Sequence, residues 1–228
     1  MTGPLLLVGG DEFTEGCDFD RELVAPAGQV VVLTIAAAYE NPGKLAARAR
    51  DWFGSLGVEA VTPEVYDRRG AAVPEVVDLV ASTPAIYLSS GSAQHLRSVL
   101  KRSPLWDAIV SAWRDGAVLA GSQAGAAVLG DTMIDARGGG FTLGLGLFSG
   151  LSVLPMFDQW PEERLRRVRT LAPAGTWVVG VDQRTALVHR PGQGWRASGA
   201  GRVFVVADQD LVGLDALPDP VPPSLSPS

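Results

Sequence analysis

The sequence predicts an α/β fold: a mostly parallel central sheet with helices on both faces and antiparallel edge strands near the C-terminus. Three observations point to it. Short apolar runs alternate with stretches of helical periodicity through the first half of the chain. The runs are apolar at every position, as strands covered on both faces are. Late in the chain, Trp177 to Val181, Thr185 to His189 and Val203 to Val206 follow one another closely, which suggests antiparallel pairing at the sheet edge.

The strand candidates of the first half are Leu5 to Val8, Gln29 to Ile35, Ala85 to Leu88 and Ala117 to Ala120. Between them, Leu45, Ala49, Trp52, Phe53 and Leu56 recur at helical spacing, with Asn41 placed to cap and Pro42 at the first helical position. Val73 to Val80 reads as a second helix led by Pro74. Ala93 to Leu100 and Trp106 to Trp113 read as two further pieces, broken at Ser103-Pro104 because proline disfavours helix in the residue before it. Gly138-Gly139-Gly140 reads as a turn, and Phe141 to Leu147 alternates with glycines as a hairpin strand or extended loop does. Pro161 to Leu171 is a charged helix. Gly144, Gly146 and Gly150 lack the spacing and the strand-loop-helix setting of a phosphate-binding loop, and no cofactor is expected.

Composition narrows the function classes. A chain of 228 residues with 46% hydrophobic content buries one large core, so a single domain over residues 1–216 is expected, followed by a disordered Pro/Ser-rich tail at 217–228. With 19 basic and 25 acidic residues the net charge is −6, and the one basic cluster, Arg164, Arg166, Arg167 and Arg169, lies on one helix. Nucleic-acid binding, which needs concentrated positive charge, is not expected. The lone Cys17 forbids an intrachain disulfide and fits a reducing compartment. The N-terminal apolar run is too short to span a bilayer and has no basic leader, so the expectation is a cytoplasmic protein without membrane attachment. No His/Cys/carboxylate cluster has metal-ligand spacing, and no metal is expected.

The feature that bears on chemistry is Gly121-Ser122-Gln123-Ala124-Gly125. It has the spacing of a nucleophile elbow, a sharp strand-to-helix turn that projects its central residue and needs small flanking residues where the backbone crowds itself. The central residue is Gln123. A carboxamide has no proton whose removal creates a nucleophile.

Several segments fall in a telling order: Val8-Gly9-Gly10 with Glu12, Ser90-Gly91-Ser92 with His95-Leu96, the elbow, Gly144-Leu145-Gly146-Leu147, and Gly180-Val181-Asp182 with Thr185-Ala186. In these the chain resembles the serine peptidases that include aspartyl dipeptidase (dipeptidase E) and cyanophycinase, over nearly its whole length. The resemblance implies a class I glutamine-amidotransferase-like, or flavodoxin-like, fold and serine peptidase ancestry. It places the family's serine on Gln123 and its histidine on Met156, within Leu154-Pro155-Met156-Phe157-Asp158. A thioether does not accept a serine's proton at neutral pH. Nucleophile and base act as a unit, so their joint loss implies a catalytically inactive homologue.

The resemblance also implies an oxyanion site formed by backbone amides at Gly91, with Ser90 in place of the family's first glycine, and at Ala124. Asp131, Asp135 and Asp158 are the candidates for an acidic third member, and solvated loop or cap roles are the plainer reading of each. Gln183 stands where the family has an acid. Ser122 is the alternative nucleophile, although a one-residue shift turns its hydroxyl into the packing. His95 is in reach of the pocket from its helix start, and Glu12 follows the first strand at the carboxyl edge where ligands bind in such sheets. His189 is expected to be structural or exposed. Trp160 is a candidate wall of the site, and Trp106 reads as packing.

Two functions stay open on these residues. One is an inactive homologue that binds a small acidic or peptide-like ligand, or a protein partner or second copy of itself, with the Arg164 to Arg169 helix or the tail as contact. The other is an active peptidase, amide hydrolase or amidotransferase-like enzyme that uses Ser122 or a site completed by a partner.

Overall fold

The computed structural model describes residues 2–135, 138–207 and 210–220. Its central sheet has seven strands. Five are parallel: β1 (Leu5–Val8), β2 (Gln29–Leu33), β3 (Glu59–Val61), β4 (Ala85–Leu88) and β5 (Val118–Ser122). In space they lie β1, β5, β4, β2, β3. The apolar runs divide by alternate residues, since successive side chains leave a strand on opposite faces. Leu5, Leu7, Leu33, Ile86, Leu88 and Leu119 join one core cluster, while Leu6, Val8, Val32, Tyr87, Val118 and Ala120 join the other.

Helices cover both faces, as predicted. Helix α1 (Pro42–Ser55) packs Ala49 and Phe53 into the second cluster. Helices α2 (Pro74–Ser82), α3 (Ala93–Leu100) and α4 (Pro104–Arg114) supply Val80, Leu96, Ile109 and Trp113 to the first. The starts follow the capping chemistry in the sequence. Asn41 accepts from the Lys44 amide at 3.2 Å with Pro42 next in the chain, Ser92 from His95 at 3.2 Å, and Ser103 from Trp106 at 3.1 Å before Pro104. The predicted break between α3 and α4 is real. The strand expected to run to Ile35 stops at Leu33, and Ile35–Ala37 forms a 3-10 turn.

After α5 (Ala124–Ala127), the strands β6 (Thr132–Ile134) and β7 (Phe141–Leu143) pair as an antiparallel hairpin. The glycines that follow are not a phosphate loop: the amides of Gly144, Leu145 and Gly146 donate to the carbonyls of Asp131, Val128 and Gly130.

The late strands need a correction. Strand β10 (Thr185–Arg190) does pair antiparallel with β1, and β11 (Gly194–Gly199) continues that edge. By contrast, β9 (Trp177–Val181) and β12 (Val203–Ala207) leave the central sheet for a four-stranded one, ordered β13 (Asp210–Val212), β12, β9, β8 (Leu151–Pro155). In it β8 and β9 run parallel. The crossover between them carries α6 (Glu162–Leu171), whose Leu165 and Val168 pack on Leu154 and Val178. Close spacing in sequence identified these segments as strands and misassigned the sheet of two of them.

The chain stays packed beyond residue 216. Leu217 is buried, Trp195 Nε1 donates to the Pro218 carbonyl at 2.8 Å, and His189 Nε2 meets Asp219 Oδ1 at 3.0 Å. His189 is thus buried and structural. Residues 221–228 of the expected tail lie outside the described residues. No helix among the described residues is long and apolar enough to cross a membrane.

Candidate functional site

Strand register brings three loops together. Val8 lies beside Ser122, and Leu88 beside Gly121, so the chain leaves β1, β4 and β5 at one carboxyl edge. The loops that follow carry Gly9 to Glu12, Ser89 to Ser92 and Gln123. Ligands of open α/β sheets bind at this edge.

The elbow is formed. Gln123 has φ 47° and ψ −99°, a conformation that is strained for any residue with a side chain and costs on the order of 1–3 kcal/mol. Its amide donates to the Val8 carbonyl at 2.9 Å, which helps hold the turn. Gly125 is required by a close approach, because a Cβ there would stand 2.2 Å from the Leu88 carbonyl oxygen. The strain is borne by packing that admits no other path.

What the projecting side chain does is the central observation. Gln123 Oε1 accepts the Gly91 amide hydrogen bond at 2.8 Å. That amide is the oxyanion donor implied by the resemblance. The residue standing where a nucleophile is expected therefore holds its own carbonyl oxygen against the donor. Because an N–H needs an acceptor, the contact fixes the carboxamide's orientation and leaves Nε2 as its other end.

Met156 comes to the same place. It begins the turn after β8 with φ 52°, and its amide donates to the Gly9 carbonyl at 2.7 Å. A Cβ on Gly10 would stand 3.2 Å from Met156 Cγ and 3.6 Å from Gln123 Cβ, so the two side chains flank Gly10. The positions matched to the family's serine and histidine are therefore neighbours in space, and neither side chain performs acid-base chemistry.

A cavity of about 370 Å³ opens over this pair. Its lining includes Gly91, Gln94, Gln123, Ala124, Met156 and Trp160. As the first residue of α5, Ala124 has no intrahelical partner for its amide. Among the described residues the charged side chains in the lining are those of Glu40 and Asp135. Trp160 does wall the site, tied by Nε1 to the Pro155 carbonyl at 3.0 Å. Trp106 packs against the core, as expected.

Several of the residues singled out from the sequence do not line the cavity. Ser122 is fully buried and donates from Oγ to Glu12 Oε2 at 2.8 Å, so it is not placed as a nucleophile. Glu12 is 2% exposed, and its other oxygen accepts from the Ser90 amide at 2.9 Å. It is a buried tie, not a ligand-binding acid. That bond also occupies the Ser90 amide, which is therefore not an oxyanion donor. His95 turns away: its Nε2 lies 2.9 Å from the Tyr66 carbonyl and its ring packs edge-on to Tyr39. Of the candidate acids, Asp135 lines the cavity, whereas Asp131 accepts from the Thr132 amide and Asp158 from the Gln183 amide. Sequence reading missed Glu40 and Gln94, for which no motif gave a signal.

Beneath the elbow lies a second group of polar side chains. Asp20 is fully buried and accepts from Trp52 Nε1 at 2.9 Å. Burial raises its carboxyl to about 8, against an ordinary value of 3.8. Burial likewise pushes the Cys17 thiol up to about 12 and the Tyr87 phenol well above its usual value, so neither is poised to react. Among the described residues no group of three or more His, Cys, Asp or Glu side chains is placed to hold a metal ion.

The elbow, the Gly91 amide and the neighbouring positions 123 and 156 come together where the resemblance expects the parts of a serine peptidase site. The sequence model of peptidase family S51 matches residues 6–194. The chain belongs to peptidase family S51. It is similar to the cyanophycinase of Synechococcus elongatus, with 28% identity over 192 residues that cover 79% of this chain and 60% of that protein. It is likewise similar to the cyanophycinase of Nostoc sp. (strain PCC 7120 / SAG 25.82 / UTEX 2576), at 29% identity over 226 residues, covering 92% of this chain and 75% of that protein. Among solved structures, a peptidase from an acI-B1 Actinobacterium superposes with a TM-score of 0.82 at 27% identity, covering 93% of both chains. A putative peptidase E from Listeria monocytogenes EGD-e shares the fold, with a TM-score of 0.65 at 16% identity over 88% of this chain and 100% of that one. Its S51 relatives share this architecture of a mostly parallel sheet with antiparallel strands toward the C-terminus.

Proposed function

We propose that this S51 family member has no peptidase activity of its own and uses the cavity over Gln123 to bind a small peptide-like ligand. One observation carries the reading: the Gly91 amide is engaged by Gln123 Oε1 at 2.8 Å. The donor that would stabilise a tetrahedral oxyanion already has an acceptor, and the side chain supplying it cannot attack a carbonyl. Met156 beside it accepts no proton. Between an acidic and a peptide-like ligand, the lining favours the second. Among the described residues the lining carries the Glu40 carboxylate, which opposes an anion, while Gln123 Nε2 and the Ala124 amide suit peptide groups. The family's peptidase character supports the same choice. Cytoplasmic location belongs to this reading and rests on the unpaired, buried Cys17.

The test is mass-spectrometric turnover of a panel of aspartyl, isoaspartyl and other short peptides. The protein is expected to leave every peptide intact while binding at least one of them by calorimetry. Cleavage that survives purification and is lost in Gln123→Ala would overturn the reading. The pair Gln123→Ser/Met156→His is expected to gain weak cleavage, since the two positions are neighbours across Gly10. Ser122→Ala is expected to add or remove no turnover.

A further inference from the structure

Glu12 reaches two elements far from it in sequence. Its Oε1 accepts from the Ser90 amide at 2.9 Å, and its Oε2 accepts from Ser122 Oγ at 2.8 Å. Ser90 belongs to the loop after β4 and Ser122 is the last residue of β5, so one carboxylate joins the neighbouring strand ends directly under the cavity. Each contact lies one residue before a residue that matters above it. Ser90 precedes Gly91, whose amide points at residue 123, and Ser122 precedes Gln123 itself. Only the φ and ψ of Ser90 separate the two amides, so holding the Ser90 amide narrows where the Gly91 amide points.

The tie has no substitute nearby. At 2% exposure, water does not replace the carboxylate freely, and the buried side chains below it, Asp20 and Tyr87, include no cation. Tyr87 lies beside the Ser122 hydroxyl, whereas the Ser90 amide has Glu12 as its acceptor. Gly91 has φ 134°, a backbone conformation that glycine adopts without preference for one direction, and a Cβ there would stand only 2.3 Å from the Ala36 carbonyl oxygen. The direction of its amide is set by the torsions of Ser90, the residue that Glu12 holds.

We infer that Glu12 is the positioning residue of the site: through its paired bonds to the Ser90 amide and the Ser122 hydroxyl it aims the Gly91 amide at the elbow. The role concerns the direction of a donor and is independent of whether the site turns over peptide. It works through Ser90 and Ser122 and touches no ligand.

The experiment is amide hydrogen exchange and 15N chemical shift, measured by NMR on the full chain. In Glu12→Ala, exchange at Gly91 is expected to rise at least about tenfold with a displaced amide resonance. Val31→Ala in β2, chosen as a core control and compared at equal residual stability, should move Gly91 far less. Glu12→Gln is expected to restore the wild-type signal, because its carbonyl accepts from Ser90 while its NH2 donates to Ser122 Oγ. Should Glu12→Ala fail to fold, Glu12→Asp serves instead, since a side chain one methylene shorter does not span both partners. The inference is overturned if Gly91 exchange and shift stay put in the shortened variant, if they move no more than in the core control, or if Glu12→Gln fails to restore them. Absence of peptide binding by the wild-type chain, with the Gly91 signal moving as expected in the Glu12 variants, would sink the ligand reading and leave the positioning role standing.

Discussion

Ser122 and Gln123 are consecutive, yet they face opposite worlds. Gln123 looks up into an open cavity and meets one backbone amide, while Ser122 looks down into a closed layer that its hydroxyl shares with Glu12, Tyr87, Cys17 and Asp20. The difference is set by the elbow. A turn with φ 47° reverses the chain so sharply that neighbouring side chains leave on opposite sides. The two faces therefore tolerate change differently. On the cavity side a lost contact is replaced by solvent. On the lower side it leaves a buried polar atom without a partner, which costs about 1–3 kcal/mol.

Substitutions sharpen that contrast. The largest effect is expected on the lower face, from Asp20. Burial holds its carboxyl at about 8 rather than 3.8. Below about pH 4 both folded and unfolded chains keep the proton. Between 4 and 8 the unfolded chain gives it up and the folded one does not, so stability falls as pH rises through this window. A shift of that size corresponds to a loss on the order of 5 kcal/mol by linkage. Asp20→Asn should flatten this fall in urea titrations taken at a series of pH values; an unchanged slope would show that Asp20 ionises in the folded state as it does in water.

Next comes the wall between the two faces. Gly125→Ala puts a methyl 2.2 Å from the Leu88 carbonyl oxygen, and about 3 kcal/mol of stability should be lost as β4 and α5 are pushed apart. Chemical denaturation would read it, and a loss below about 1 kcal/mol would mean that the elbow is less rigid than its geometry. Glu12→Ala strands the Ser90 amide and the Ser122 hydroxyl together, and a loss of about 2 kcal/mol is expected in the same measurement. The smallest effect should come from the upper face. Gln123→Ala frees Gly91 to bond with solvent, so stability should change by less than about 1 kcal/mol. A loss as large as that of Glu12→Ala would erase the distinction between the faces.

Much of the scaffold was legible. Four of the five parallel strands of the central sheet announced themselves as apolar runs, because both faces are covered, whereas the half-exposed edge strand β3 carried no such run. Asn41 marked a helix start, because a short polar side chain there satisfies an otherwise orphan amide, and Ser103-Pro104 marked the break between α3 and α4. The elbow was legible from its spacing, since Gly125 is dictated by a backbone contact that forms only if the turn forms. Glu12, His95 and Ser122 were harder. Each was flagged by its place near the carboxyl edge, but a position along the chain does not say which way a side chain faces. His95 found the Tyr66 carbonyl and Glu12 found two donors, and those partners lie 29, 78 and 110 residues away. Likewise β9 and β12 carried a correct strand signal and no record of which sheet would take them, because both the parallel partner β8 and the α6 crossover that buries its face had to be in place first.

By itself the sequence determined the fold class and the elbow, for these rest on local rules of side-chain periodicity, capping and turn spacing, while the two substitutions within the site were placed by the resemblance to the family. The tertiary structure decided what the substituted side chains do. Only it set Gln123 Oε1 against the Gly91 amide and closed Glu12 beneath them. Such bonds join strand ends brought side by side by the packing of the whole sheet, and their geometry exists nowhere in the order of the residues.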